Sequence, residues 1–176
     1  MGKDTRIPDE VILGQFSKAV REMLADDDLV KAAPEEFSIS TDLAIKMVPY
    51  FPEWRVSPEW TRREDEEKRL AWNDEAGKER LKKIRPDIIV HRMHLQDENI
   101  LVVEAKRAQN KDYADDIRKL TMMTLEYTPN PDYHYGYLLG VHLIVDLPKR
   151  TVVGNNVYRN GEVDSKLTEL LRRMLH

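Results

Sequence analysis

Two apolar runs in this chain terminate in charge. Arg85-Pro86-Asp87-Ile88-Ile89-Val90-His91 opens on an acid, and Ile100-Leu101-Val102-Val103 leads straight into Glu104-Ala105-Lys106. Both read as strands of a mixed domain, where a strand covered on both faces should be apolar throughout. Side chains alternate along a strand, so Ile100, Val102, Glu104 and Lys106 share one face while Leu101, Val103 and Ala105 share the other. Glu104 and Lys106 then stand roughly 6.5–7 Å apart on one side of the sheet. An acid and an amine at the end of a core strand carry a desolvation cost that a purely structural strand avoids. A fold for this chain has to put those groups to use.

The residue types point to metal-assisted phosphodiester cleavage. Mg²⁺ takes oxygen ligands and is commonly held by one or two carboxylates plus waters and substrate phosphate. Asp87 and Glu104 offer carboxylates from adjacent strands, and the Ala105 carbonyl is a further oxygen. Lys106 is placed to orient or activate an attacking water and to offset charge on a phosphate. Mg²⁺ or Mn²⁺ is therefore the expected cofactor. Two ordinary strands with solvated ends remain the alternative.

Other chemistries find less support. The absence of cysteine excludes disulfides, thiolate zinc sites and a cysteine nucleophile. His134, His142 and His176 show no ligand spacing such as His-x-x-x-His, and no Gly-x-Ser-x-Gly occurs. No apolar run approaches the roughly 20 residues that span a bilayer, and Met1–Arg6 lacks the apolar core of a signal peptide. The expectation is a cytoplasmic protein without a membrane partner. With 176 residues, 41% apolar and 34% charged, the chain fits one domain over 1–176.

Periodicity places an amphipathic helix over 9–25, with Ile12, Phe16, Ala19, Val20 and Met23 on one stripe. Asp26-Asp27-Asp28 reads as an exposed helix end or loop. A second helix begins near Pro34-Glu35-Glu36, and a first strand lies within Phe51–Trp60. Residues 61–85 read as a charged, partly helical excursion or loop. Strands follow at 87–92 and 100–106. A helix over 111–127 has Tyr113, Ile117, Leu120, Met123 and Tyr127 inward and Asp112, Asp115, Asp116, Arg118 and Lys119 on its wet face. Strands over 135–146 and 151–158, an Asn160-Gly161 turn and a helix capped by Asp164 complete the chain.

Pro-Asp, an intervening loop and Glu-x-Lys at two strand ends resemble the PD-(D/E)xK nuclease superfamily. The resemblance implies an α/β, restriction-endonuclease-like core, α-β-β-β-α-β, over about 34–146. It further implies a mixed central sheet flanked by helices, with N-terminal and C-terminal helices added. Phe51-Pro52-Glu53-Trp54, Glu59-Trp60, Lys68-Arg69-Leu70 and Arg85–His91 are similar to a group of small, mostly uncharacterised bacterial members. The implied activity is hydrolysis of phosphodiester bonds, in DNA by preference. Many nucleases of this fold act as dimers, which brings a homodimer into consideration.

Members of the superfamily usually carry a further acid on the first core helix, and Glu36 is the choice here. Glu59 is the other option, and acids at a helix start also simply favour its dipole. His91 shares a face with Asp87 and is a candidate accessory group, although a packed histidine is the commoner case. His91 and His94 fall on opposite faces of a continuing strand. Lys78, Arg80, Lys82, Lys83 and Arg85 lie within eight residues against a single Glu79. That cluster either tracks a phosphate backbone or forms a solvated charged face. Trp54, Trp60 and Trp72 are either packing residues or base-stacking platforms. The net charge of −4 speaks mildly against a dedicated nucleic-acid binder. The rival to an enzyme is a catalytically inactive module of the same fold that binds nucleic acid or a protein.

Overall fold

The helical stripe Ile12, Phe16, Ala19, Val20 and Met23 is buried along α1 (Asp9–Ala25) in a computed structural model describing residues 7–60, 62–63, 66–93 and 95–176. Asp26 ends α1 and starts α2 (Asp27–Ala32), its carboxylate accepting the backbone N–H groups of Asp28 and Leu29 at 3.1 Å each. This side chain satisfies two of the donors that a helix start leaves open. α3 (Glu36–Met47) buries Ile39, Leu43 and Met47, and Pro49 sits in the 3-10 turn that ends it.

A mixed six-stranded sheet forms the centre. In spatial order it comprises β1 (Arg55–Pro58), β6 (Ile88–Arg92), β7 (Leu95–Arg107), β8 (Leu139–Asp146), β9 (Thr151–Arg159) and β10 (Glu162–Val163). Among the described residues only β7 and β8 pair in parallel. Their connection passes through α4 (Ala114–Met123), as a parallel pair requires a crossover. Between β1 and β6 the chain forms two short antiparallel hairpins. These are β2 (Arg62–Arg63) with β3 (Glu66–Glu67), and β4 (Arg69–Asn73) with β5 (Glu79–Lys83). α5 (Ser165–Leu175) follows the Asn160-Gly161 turn, where both residues have positive φ, and Asp164 caps it by accepting from Leu167 N–H.

Strand alternation divides the core. Ile88, Val90, Leu101, Val103, Val141 and Leu143 pack with α1, α3 and α5 on one face. Ile89 and Val102 face the other way and join Leu120 and Met123 of α4, Tyr135, Tyr137, and Leu70 and Ile84 beside the β4–β5 hairpin. Among the described residues no helix is long and apolar enough to cross a membrane.

The reading of 61–85 requires correction, with Thr61, Glu64 and Asp65 outside the described residues. Its second half is a hairpin, with the turn set by Gly77 at φ +74° and by Asp74 accepting the N–H groups of Ala76 and Lys78. β5 has no buried residue, so it lacks the apolar alternation that betrays a strand. The side assignment of α4 is also corrected. Asp116, Leu120 and Met123 are buried there, whereas Ile117 is 43% exposed and Tyr127, beyond the helix, 77%.

Gly140 lets α4 approach the sheet. A Cβ at this position would meet Thr124 Cγ2 at 3.0 Å, Leu120 Cδ2 at 3.1 Å and Tyr158 Cβ at 3.3 Å. Gly140→Val is expected to destabilise the protein by about 1–3 kcal/mol through overpacking. Gly14→Ala, in the interior of α1 with nothing within 4 Å of the new methyl, should stabilise it by about 0.5–1 kcal/mol. Urea unfolding of both variants measures the contrast, and equal midpoints would contradict the close α4–sheet contact.

Candidate active site

The sheet register brings the two acids together. Ile88 pairs with Val103, so Asp87 falls opposite Glu104 one step further along the antiparallel strands. Asp87 Oδ2 accepts the backbone N–H of Ala105 at 2.8 Å and ties the two strand ends. In the parallel pair, Glu104 lies beside His142. The result is a polar row across β6, β7 and β8 on the face covered by α4.

α4 supplies the countercharges. Lys119 donates to Glu104 Oε2 and stands 3.8 Å from Asp116 Oδ1. Asp116 Oδ2 lies 3.4 Å from Lys106 Nζ and 3.4 Å from His142 Nε2. His142 is held edge-on against Tyr113, with ring centroids 5.1 Å apart. On the far side of Lys106, Glu36 Oε2 stands 3.9 Å from Nζ. Glu36 also accepts the Arg107 backbone N–H at 3.2 Å and the Asn110 side-chain amide at 2.7 Å. It therefore anchors the segment after β7 as well as facing Lys106.

Burial sets the protonation pattern. Glu104 is fully buried, and this together with the neighbouring Asp87 charge pushes its carboxyl well above the usual range, against the pull of Lys119. Burial likewise raises Asp87 to about 6, opposed by the Ala105 hydrogen bond and the Lys119 charge. Asp116 goes the other way. Burial pushes it up, but the nearby His142 imidazole and the charges of Lys119 and Lys106 hold it below its ordinary value. Burial works against the Lys106 and Lys119 ammoniums, yet the surrounding carboxylates keep both above the usual lysine value.

The site has negative charge to spare. Asp87, Glu104, Asp116 and Glu36 face only two ammoniums, leaving two excess negative charges when all are ionised. Glu104 Oε1 is buried without a hydrogen-bond partner. A divalent cation fits this deficit in charge and in oxygen chemistry. Among the described residues no three His, Asp or Glu groups form a ready-made cage. Two carboxylates are nevertheless sufficient for Mg²⁺, which keeps several of its waters.

The remaining residues singled out from the sequence lie elsewhere. Glu59 pairs with Arg85 at 2.8 Å, while its backbone N–H donates to the Asp87 carbonyl. His91 Nε2 is 3.2 Å from Ser57 Oγ, and its ring lies 5.9 Å from Trp60. Burial and the charges of Lys68 and Arg55 lower His91 to about 4, so it is neutral near pH 7. Arg80 pairs with Asp74 and Lys82 with Asp115 on the β4–β5 hairpin, where Lys78, Lys83 and Arg85 also present exposed side chains. His94 lies outside the described residues.

Sequence reading missed Asp116, Lys119 and His142. The signal was available in the spacing of Asp116, Lys119 or Leu120, and Met123, which share one helix face at intervals of three and four. No protein-family model, curated protein or solved structure matches the chain.

Ionising Asp87 costs stability because its folded value lies above the ordinary carboxylate value of 3.8. Below about pH 4 it is protonated in both states and the cost is absent, whereas above about pH 7 the cost is fully present. Asp87→Asn preserves an acceptor for Ala105 N–H. It should stabilise the metal-free protein by on the order of 2–3 kcal/mol at pH 8, with the gain fading toward pH 4. Thermal unfolding across that range checks it, and a gain that grows as pH falls would refute the assignment.

Proposed function

We propose that the protein is a metal-dependent nuclease of the PD-(D/E)xK type that hydrolyses phosphodiester bonds in DNA, using Mg²⁺ or Mn²⁺. The observation that carries this reading is the pairing of half-buried Asp87 with fully buried Glu104, with Lys106 two residues on and an unpartnered Glu104 oxygen. The order α3, β1, β6, β7, α4, β8 supports it, since it follows the α-β-β-β-α-β core that the sequence motif implies, with β2–β5 as an insertion.

Asp87, Glu104 and the Ala105 carbonyl would hold the ion. When bound, it would supply Lewis acidity and lower the pKa of a coordinated water. Lys106 stays an ammonium between Asp116 and Glu36, so its work is orientation of a water and stabilisation of phosphate charge rather than proton abstraction. Asp116 and Glu36 position that ammonium from two sides. Lys119 favours the charged form of Glu104.

A second reading has one observation in its favour. Lys119 already occupies one Glu104 oxygen, and ion pairs offset part of the site's charge without a metal. On that reading the domain is a nuclease fold retained for binding nucleic acid or a protein.

Incubation with supercoiled, linear and single-stranded DNA in EDTA, Mg²⁺ or Mn²⁺ separates the two. The nuclease reading expects metal-dependent cleavage. Lys106→Ala should cut roughly 100-fold or more slowly, while keeping most Mn²⁺ affinity by calorimetry, because lysine contributes no ligand oxygen. Cleavage by Lys106→Ala at the parent's rate would remove it from the mechanism. Failure of the parent protein to bind Mn²⁺ or to cut any substrate would favour the binding module.

A further inference from the structure

A cleft opens beside the carboxylate site, between the β4–β5 hairpin and α4. Its cavity volume is about 90 Å³, so it is an open groove that could hold part of a ligand rather than enclose a whole one. Lys82, Lys83, Arg85, Arg118 and Lys119 line it against one acid, Asp115, with Leu70 and Ile84 as its apolar floor. The charge is opposite in sign to that of the carboxylate cluster. Lys119 joins the two, lining the cleft while donating to Glu104.

Trp72 forms one wall. The Arg118 guanidinium lies 4.3 Å from its ring centroid, which fixes the orientation of the indole. The same two residues border a second concavity at the β4–β5 turn. Trp72 is thus a half-buried aromatic plate between two hollows, flanked by cations. The ion pairs that now occupy those cations are open to water. In Lys82–Asp115 the side chains are 51% and 56% exposed, and Asp115 is shared with Arg118. Pairs of this kind are weak and exchange readily for phosphate oxygens.

We propose that this cleft binds single-stranded nucleic acid, with one unpaired base stacked on Trp72 and the adjoining phosphates on Lys82, Lys83 and Arg118. The proposal rests on the nuclease reading for what happens next to the strand, but the binding itself does not. An aromatic plate beside a cationic track is how unpaired strands are held without sequence readout. In a duplex the base faces are stacked on one another, so an indole recessed in a cleft cannot reach them. The strand would pass from the hairpin over Lys119 to Asp87 and Glu104, which places the scissile phosphate beyond the stacked nucleotide.

The test is fluorescence anisotropy of a labelled 12-nucleotide oligo-dT and of a 12-base-pair duplex, in EDTA so that nothing is cut. The single strand should bind at least tenfold more tightly than the duplex. Trp72→Leu should weaken single-strand binding roughly tenfold, and Trp72→Phe should restore most of it. Lys82→Gln with Lys83→Gln should flatten the salt dependence by about 1.4 log units per log unit of salt if each lysine meets one phosphate. Arg118→Gln provides a second variant in case Trp72→Leu fails to fold, and it too should weaken binding. Mn²⁺ affinity and melting temperature serve as controls. Equal binding of strand and duplex, binding of neither, or parent-like affinity in folded Trp72→Leu or Arg118→Gln would overturn the proposal. A protein that holds the strand through Trp72 yet never cuts it would defeat the nuclease reading and leave this subsite standing. Cleavage of plasmid with parent-like strand binding in both variants would do the reverse.

Discussion

Glu104 is a carboxyl group with no exposed surface, at the middle of a sheet and beneath a helix. Left alone, an ionised acid there would cost several kcal/mol or more. Much of the surrounding architecture offsets that cost. Lys119 reaches it from α4, Asp116 shares Lys119 and reaches Lys106, and Glu36 closes the series from the start of α3. Loss of one member of a buried pair typically costs about 3–5 kcal/mol, so α4 is bound to the sheet by charge as well as by Leu120 and Met123. The compensation is incomplete, since one Glu104 oxygen and one Asp116 oxygen have no hydrogen-bond partner.

The two faces of the sheet divide the labour. One is filled by α1, α3 and α5 around a largely aliphatic core. The other is covered by α4, the hairpin and the Tyr135–Tyr137 segment, and its packing is aromatic and polar at the margins. Each tryptophan of the chain carries a guanidinium over its ring, Arg92 on Trp54, Arg55 on Trp60 and Arg118 on Trp72. Planar cations on planar rings hold large side chains in place where the aliphatic core does not reach.

Legibility in the sequence followed periodicity. α1 and α5 have clear apolar stripes and, for α5, a capping aspartate, and both lie where the spacing places them. The strand around Asp87 and the one ending in Lys106 were equally plain, because apolar runs ending in charge are rare. The β4–β5 hairpin was not, since β5 buries nothing and is held by its turn and partner strand. The hidden half of the site failed for a different reason. Asp116 and Lys119 look like solvated charges until a buried acid 12 and 15 residues away is known to need them. Polarity patterns report the face turned to solvent, and a helix that neutralises a buried charge inverts the pattern over one turn.

The crossover from β7 to β8 has a consequence for assembly. Glu104 and Lys119 are 15 residues apart, whereas Arg107 and Glu36 are separated by 71. By loop-closure entropy, the shorter contact is cheaper by about 1.4 kcal/mol. The most deeply buried acid therefore carries its own cation within the same strand–helix unit. Its charge can be matched locally before the distant N-terminal helices dock, and the polar heart of the molecule does not have to await the closure of its apolar half.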